Sequence, residues 1–157
     1  MRRIVVLAML AVLCATTARA QEDSTRDEGP TVSQTFGIHY GTPLRASLAA
    51  GVLIDRSKHQ NDGLIVMLEQ GFQGSEVSAG YFRMFSWFGS GYSLRAVGLR
   101  TGDEPWNASP HTTYVGGEAH MMIAFGVGGR VGYLRRASRS VADPHDTVLT
   151  AGISIGH

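Results

Sequence analysis

Beyond residue 32 the chain alternates apolar and polar-or-small positions in short runs, most plainly in Tyr114–Arg136 (YVGGEAHMMIAFGVGGRVGYLRR). Val115, Gly117, Ala119, Met121 and Ile123 form an uncharged set, with Tyr114, Gly116, Glu118, His120 and Met122 between them. Phe125, Val127, Gly129, Val131 and Tyr133 repeat that set against Gly126, Gly128, Arg130, Gly132 and Leu134. Successive side chains of a strand point to opposite faces, so a period of two predicts a hairpin turning at Ala124-Phe125-Gly126.

The same code predicts six further strands. The first, Ser33 to Gly41, sets Phe36, Ile38 and Tyr40 against Thr35, Gly37 and His39. Gly41-Thr42-Pro43-Leu44 reads as a corner, because proline fixes φ and donates nothing to a ladder. The second strand opposes Leu48, Ala50, Val52 and Ile54 to Ser47, Ala49 and Gly51, and Asp55 to Gly63 reads as a hydrophilic loop with an Asn-Asp-Gly turn. The third carries Leu64, Val66, Leu68 and Phe72 opposite Ile65, Met67, Glu69 and Gly71, and is apolar on both faces at its start. After Gln73-Gly74 the fourth sets Val77, Ala79, Tyr81 and Phe85 against Glu76, Ser78, Gly80 and Phe82. Ser86 to Gly91 is a turn; Tyr92, Leu94, Ala96 and Gly98 then alternate with Ser93, Arg95, Val97 and Leu99. Thr101 to Pro110 and Ala137 to Pro144 are polar loops on either side of the central hairpin, and Leu149, Ala151, Ile153 and Ile155 end the chain against Thr150, Gly152, Ser154 and Gly156. With no helical period, these eight segments predict an all-β fold: a single eight-stranded antiparallel up-and-down β-barrel over residues 33–157.

The N-terminal part does not share the pattern. Arg2 and Arg3, the apolar run Ile4 to Cys14 and the small-x-small end Ala18-Arg19-Ala20 read as a cleaved signal peptide over 1–20, followed by a charged, unpatterned leader over 21–32. The one cysteine, Cys14, falls inside the signal, which excludes disulfides and Cys-based metal sites from the exported chain. Taking Arg2, Arg3 and Arg19 from the 14 basic residues leaves 11 against 13 acidic ones, a net charge of −2. With the arginines dispersed and a single lysine, no nucleic-acid footprint is present.

Orientation decides what the barrel is for. If the uncharged set faced inward, the exterior would be largely glycine, whereas soluble sheets carry Lys, Glu and Thr there. With the uncharged set outward, glycine and serine fill the narrow interior of an eight-stranded barrel, and the outward positions carry only Arg83 and Arg100, near strand ends. Tyr40, Phe85, Trp87, Tyr92 and Tyr133, with Phe36 and Phe72, fall where membrane-interface aromatics belong. Signal, alternating strands and Gly-aromatic hairpin together resemble small eight-stranded bacterial outer-membrane β-barrel proteins of the outer-membrane protein A transmembrane-domain type. That resemblance implies export to the outer membrane, with outer-membrane lipid and the barrel-assembly machinery as partners and no cofactor. The chain departs from it at Ile155-Gly156-His157, where that family usually ends in an aromatic residue.

The candidate chemistry lies on the inward face. The hairpin register sets His120 opposite Arg130 with Glu118 diagonal to it, and Arg95, Glu69 and Glu76 can join from neighbouring strands. Arg95, Glu118, His120, Arg130 and Glu69 read as a salt-bridged lumen plug. The competing reading is a catalytic or metal pair in Glu118 and His120, with His111 or His39 as further members. Two other functions stay open: a soluble periplasmic barrel whose uncharged interior binds an apolar ligand, and a lipid-modifying outer-membrane enzyme, for which His111-Thr112-Thr113 is the nearest local candidate.

Overall fold

Eight strands follow one another without a helix in a computed structural model that describes residues 30–57, 60–85, 89–137 and 146–156. They are β1 (Val32–Thr42), β2 (Arg45–Ser57), β3 (Gln60–Gly71), β4 (Gly74–Met84), β5 (Gly91–Thr101), β6 (Thr113–Ala124), β7 (Val127–Arg136) and β8 (Thr147–Gly156). Each pairs antiparallel with its sequence neighbour, and β1 pairs with β8 from Gly37↔Gly156 to Thr42↔Ala151, closing the barrel. The predicted architecture is the one observed. The expected signal peptide, residues 21–29 of the leader, Trp87, Ser138 to Pro144 of the last loop and His157 lie outside the described residues.

The central hairpin adopts the expected register, with His120 opposite Arg130 and Glu118 opposite Gly132. Its turn is the two residues Phe125 and Gly126, both at positive φ (51° and 74°), a geometry whose twist matches that of the flanking strands. A register shift between Met122 and Ala124 accommodates it.

One expected loop is not a loop. The hydrophilic stretch Asp55 to Gly63 continues the sheet: β2 runs on to Ser57, β3 starts at Gln60, and Asp55 pairs with Gly63, with an irregularity between Asp55 and Ser57. Neighbouring strands override the local Asn-Asp-Gly turn signal, because Asp55 N donates to Thr31 O at 2.9 Å on one side and Asp62 pairs with Arg83 on the other. Strand length also corrects the outward charge set. Besides Arg83 and Arg100, the longer strands carry Arg56, Asp62 and Arg135 on outward positions at their ends.

Alternation along every strand separates two environments. The outward face exposes Phe36, Ile38, Leu48, Leu64, Val77, Leu94, Met121, Val131 and Ile153, while Glu69, Glu76, Arg95, Glu118, His120 and Arg130 are buried inside. Glycine on the inward face is a matter of space: a Cβ at Gly116 would lie 2.1 Å from the Tyr133 carbonyl oxygen. Two apolar clusters fill the ends of the lumen. Ala49, Ile65, Met67 and Phe82, with Leu53 and Met84, pack towards the end that holds the start of β1 and the end of β8. Leu44, Val97, Leu99, Tyr114, Leu134 and Val148 pack towards the opposite end, where Ala108 of the β5–β6 loop closes over them. The apolar start of β3 thus splits between the two faces, Ile65 and Met67 entering the lumen and Leu64 and Val66 facing outward.

Candidate functional site: a charged layer across the lumen

Between the two apolar clusters lies a polar layer to which seven of the strands contribute. Arg130 on β7 reaches across the barrel to Glu69 on β3 and donates twice, Nη1 to Oε2 at 2.6 Å and Nη2 to Oε1 at 2.9 Å. Such a fork-to-carboxylate pair fixes direction as well as charge. Ser47 on β2 donates to Glu69 Oε1 at 2.5 Å, and His39 Nδ1 on β1 sits 2.7 Å from Oε2, the tautomer with its proton on Nδ1 fitting a carboxylate acceptor. One carboxylate therefore ties together β1, β2, β3 and β7.

The second half of the layer lies on β5, β6 and β8. Arg95 Nη2 donates to Glu118 Oε1 at 2.5 Å across a directly paired position, and Thr150 Oγ1 donates to Glu118 Oε2 at 3.1 Å. Arg130 Nε stands 3.9 Å from Glu118 Oε2, so this guanidinium is shared between both carboxylates. His120 faces Arg130 in register, but its Nε2 meets Ser154 Oγ on β8 at 2.6 Å, and its ring is 5.9 Å from that of His39.

The five residues expected from the sequence, Arg95, Glu118, His120, Arg130 and Glu69, are all inside and buried. Arg95–Glu118 and Arg130–Glu69 are the strong contacts, and His120 joins through Ser154 and His39. Glu76 is buried directly opposite Glu69, yet its Oε1 has no hydrogen-bond partner. Sequence reasoning missed Ser47, Thr150 and Ser154. Their inward parity was legible, but serine and threonine on an inward face carry no signal of which charge they serve.

The alternative members separate. His39 is in the layer, whereas His111 sits on the β5–β6 loop, largely exposed, with Nε2 3.1 Å from Asp103. Among the described residues no group of three or more His, Cys, Asp or Glu side chains is placed to hold a metal ion. A histidine does meet a serine in His120–Ser154, but the carboxylate Glu69 orients His39 instead. The uncharged set faces outward, so it does not form the apolar cavity expected of a ligand-binding barrel.

The described aromatics among those expected at a membrane interface occupy two levels. Tyr40 and Tyr133 lie towards the loop end, where Tyr40 meets Trp106 edge-on at 5.9 Å and Arg45 stacks 5.2 Å over the same indole. Phe85 and Tyr92 lie at the other end, 5.5 Å apart, with Tyr81 beside Tyr92. Comparison with protein-family models matches no family to this chain, and no curated protein or solved structure matches it.

Proposed function

We propose that the chain is a small outer-membrane β-barrel of the outer-membrane protein A transmembrane-domain type, with a sealed lumen and a structural or surface-interaction role. One observation carries the reading: Glu69, Glu76, Arg95, Glu118 and Arg130 are buried inside, and all eight strands present large apolar side chains outward, with outward charges only near strand ends. No helix of the described residues is long and apolar enough to cross a membrane.

The height of the apolar zone supports it. Arg83 is level with Tyr92 in register, and β5 runs from there to Arg100 with Leu94, Ala96 and Gly98 outward between them. Eight residues of strand span about 26 Å, or about 20 Å of height at a tilt near 40°. The lipid-facing band of such barrels is about 25 Å tall, with charges tolerated at its rims. The connectivity fits as well: the 102–112 and 137–146 connections both leave from the end opposite the chain's start and finish, as extracellular loops do in this class.

Cell fractionation tests the proposal. The expected result is the chain in the outer-membrane fraction, with gel migration that changes on heating as the barrel unfolds. Recovery in the soluble periplasm, without detergent, would reject it.

A further inference from the structure

The β5–β6 connection, residues 102–112, does more than cover the lumen. It leaves β5 and meets the β3–β4 turn first, Gly102 N donating to Gln73 O at 2.7 Å and Glu104 N to Gln73 Oε1 at 2.9 Å. It then reaches the β1–β2 corner, where Trp106 N donates to Pro43 O at 3.2 Å. In the closed barrel β1 lies opposite β5, so the loop is a strap across the mouth. A loop that only capped the lumen would turn its largest apolar side chain inward. Here Ala108 takes that buried place in the cluster of Leu44, Leu99 and Tyr114. The Trp106 indole goes to the far rim instead, 38% exposed, beside the outward-facing Tyr40.

The surroundings of the indole identify what it meets. Tyr40 packs edge-on against it at 5.9 Å, and around Tyr40 the outward Ile38, Leu48 and Ile153 are each more than half exposed. The ring thus joins the loop-side edge of the apolar face. Charge adjoins it as well: the Arg45 guanidinium lies 5.2 Å over the ring, and Glu104 Oε2 is 4.0 Å from Arg45 Nη2. Arg45 holds this place with φ at 64°, in the left-handed region that residues other than glycine rarely adopt. An indole set between an exposed apolar face and a charged pair fits the boundary between hydrocarbon and headgroups, where tryptophan is enriched.

We propose that Trp106 anchors the 102–112 strap in the loop-side lipid leaflet, its indole at the level of the ester and phosphate groups. The anchor rests on the membrane reading above. It is tested on the full chain carrying Trp87→Phe, which leaves Trp106 as the sole tryptophan. The vesicles are phosphatidylcholine with phosphatidylglycerol, brominated on the acyl chain either near the ester or near the terminal methyl. Trp106 emission should be quenched most by bromine near the ester and little by aqueous iodide. Stronger quenching by bromine near the methyl end overturns the anchor, as does quenching by iodide alone. The strap is read by hydrogen exchange in the same vesicles. Trp106→Ala should keep heat-modifiable migration while the amides of residues 102–112 exchange about tenfold faster. Unchanged exchange would show that the indole does not hold the loop. An inserted barrel whose Trp106 responds only to iodide removes this inference alone, whereas a soluble periplasmic chain removes the membrane reading itself.

Discussion

Glu69 is where the lumen is held. It accepts from Arg130, from Ser47 and from His39, so four strands depend on a single carboxylate. Breaking a buried pair from one side leaves a charge without compensation and costs about 3–5 kcal/mol. Arg130→Met is therefore expected to destabilise the barrel by that amount, read as a lower urea midpoint for unfolding from lipid vesicles. Adding Glu69→Gln to Arg130→Met should recover part of the loss, because the stranded carboxylate is gone; equal midpoints for the single and double variants would show that the two residues are not coupled. Glu76 should behave oppositely. It faces Glu69 with an unpartnered oxygen, so Glu76→Gln keeps the shape, removes a third carboxylate and is expected to leave the midpoint unchanged or raise it. A loss of more than about 1 kcal/mol would assign Glu76 a partner of its own.

Within β6, two adjacent glycines have opposite reasons for being there, and this makes the strand's alternation testable. Gly116 faces inward, where a Cβ would press on the Tyr133 carbonyl, while Gly117 faces outward with room for one. Gly116→Ala is expected to cost about 1–3 kcal/mol as overpacking against backbone, and Gly117→Ala less than about 0.5 kcal/mol, as for a free surface position. The same unfolding assay separates them, and a reversed order would mean that the strand is turned over. The turn after β6 follows a different rule. Gly126 at φ 74° sits in the left-handed region, so Gly126→Val should cost about 1–2 kcal/mol without touching the lumen.

The whole molecule is closed in three layers. Apolar side chains fill both ends of the lumen, the Arg–Glu network crosses the middle, and Ala108 of the 102–112 loop covers the mouth through hydrogen bonds of Thr101 Oγ1 to the Ser109 and Thr112 carbonyls. An ion would have to break buried pairs and displace packed Leu99, Tyr114, Phe82 and Met67. Purified protein in a planar bilayer is accordingly expected to show no stable conductance, and a reproducible single-channel step would contradict the closed lumen.

The alternation of side chains along the chain determined by itself the number of strands, their order, the central register and which residues share a face. Each of these depends on a period of two that is local to a strand. It also determined that Glu69, Arg95, Glu118, His120 and Arg130 share one interior, since parity places them there together. Only the closed barrel decided who pairs with whom. Glu69 and Arg130 are 61 residues apart on strands that are not neighbours, and they meet because closure brings β3 opposite β7. Closure likewise took His120 to Ser154 although its register partner is Arg130, and left Glu76 Oε1 without a hydrogen-bond partner. The Asp55 to Gly63 stretch marks the same boundary from the other side. Its polarity records where the chain leaves the apolar zone, while ladder hydrogen bonds from neighbouring strands decide where the sheet ends.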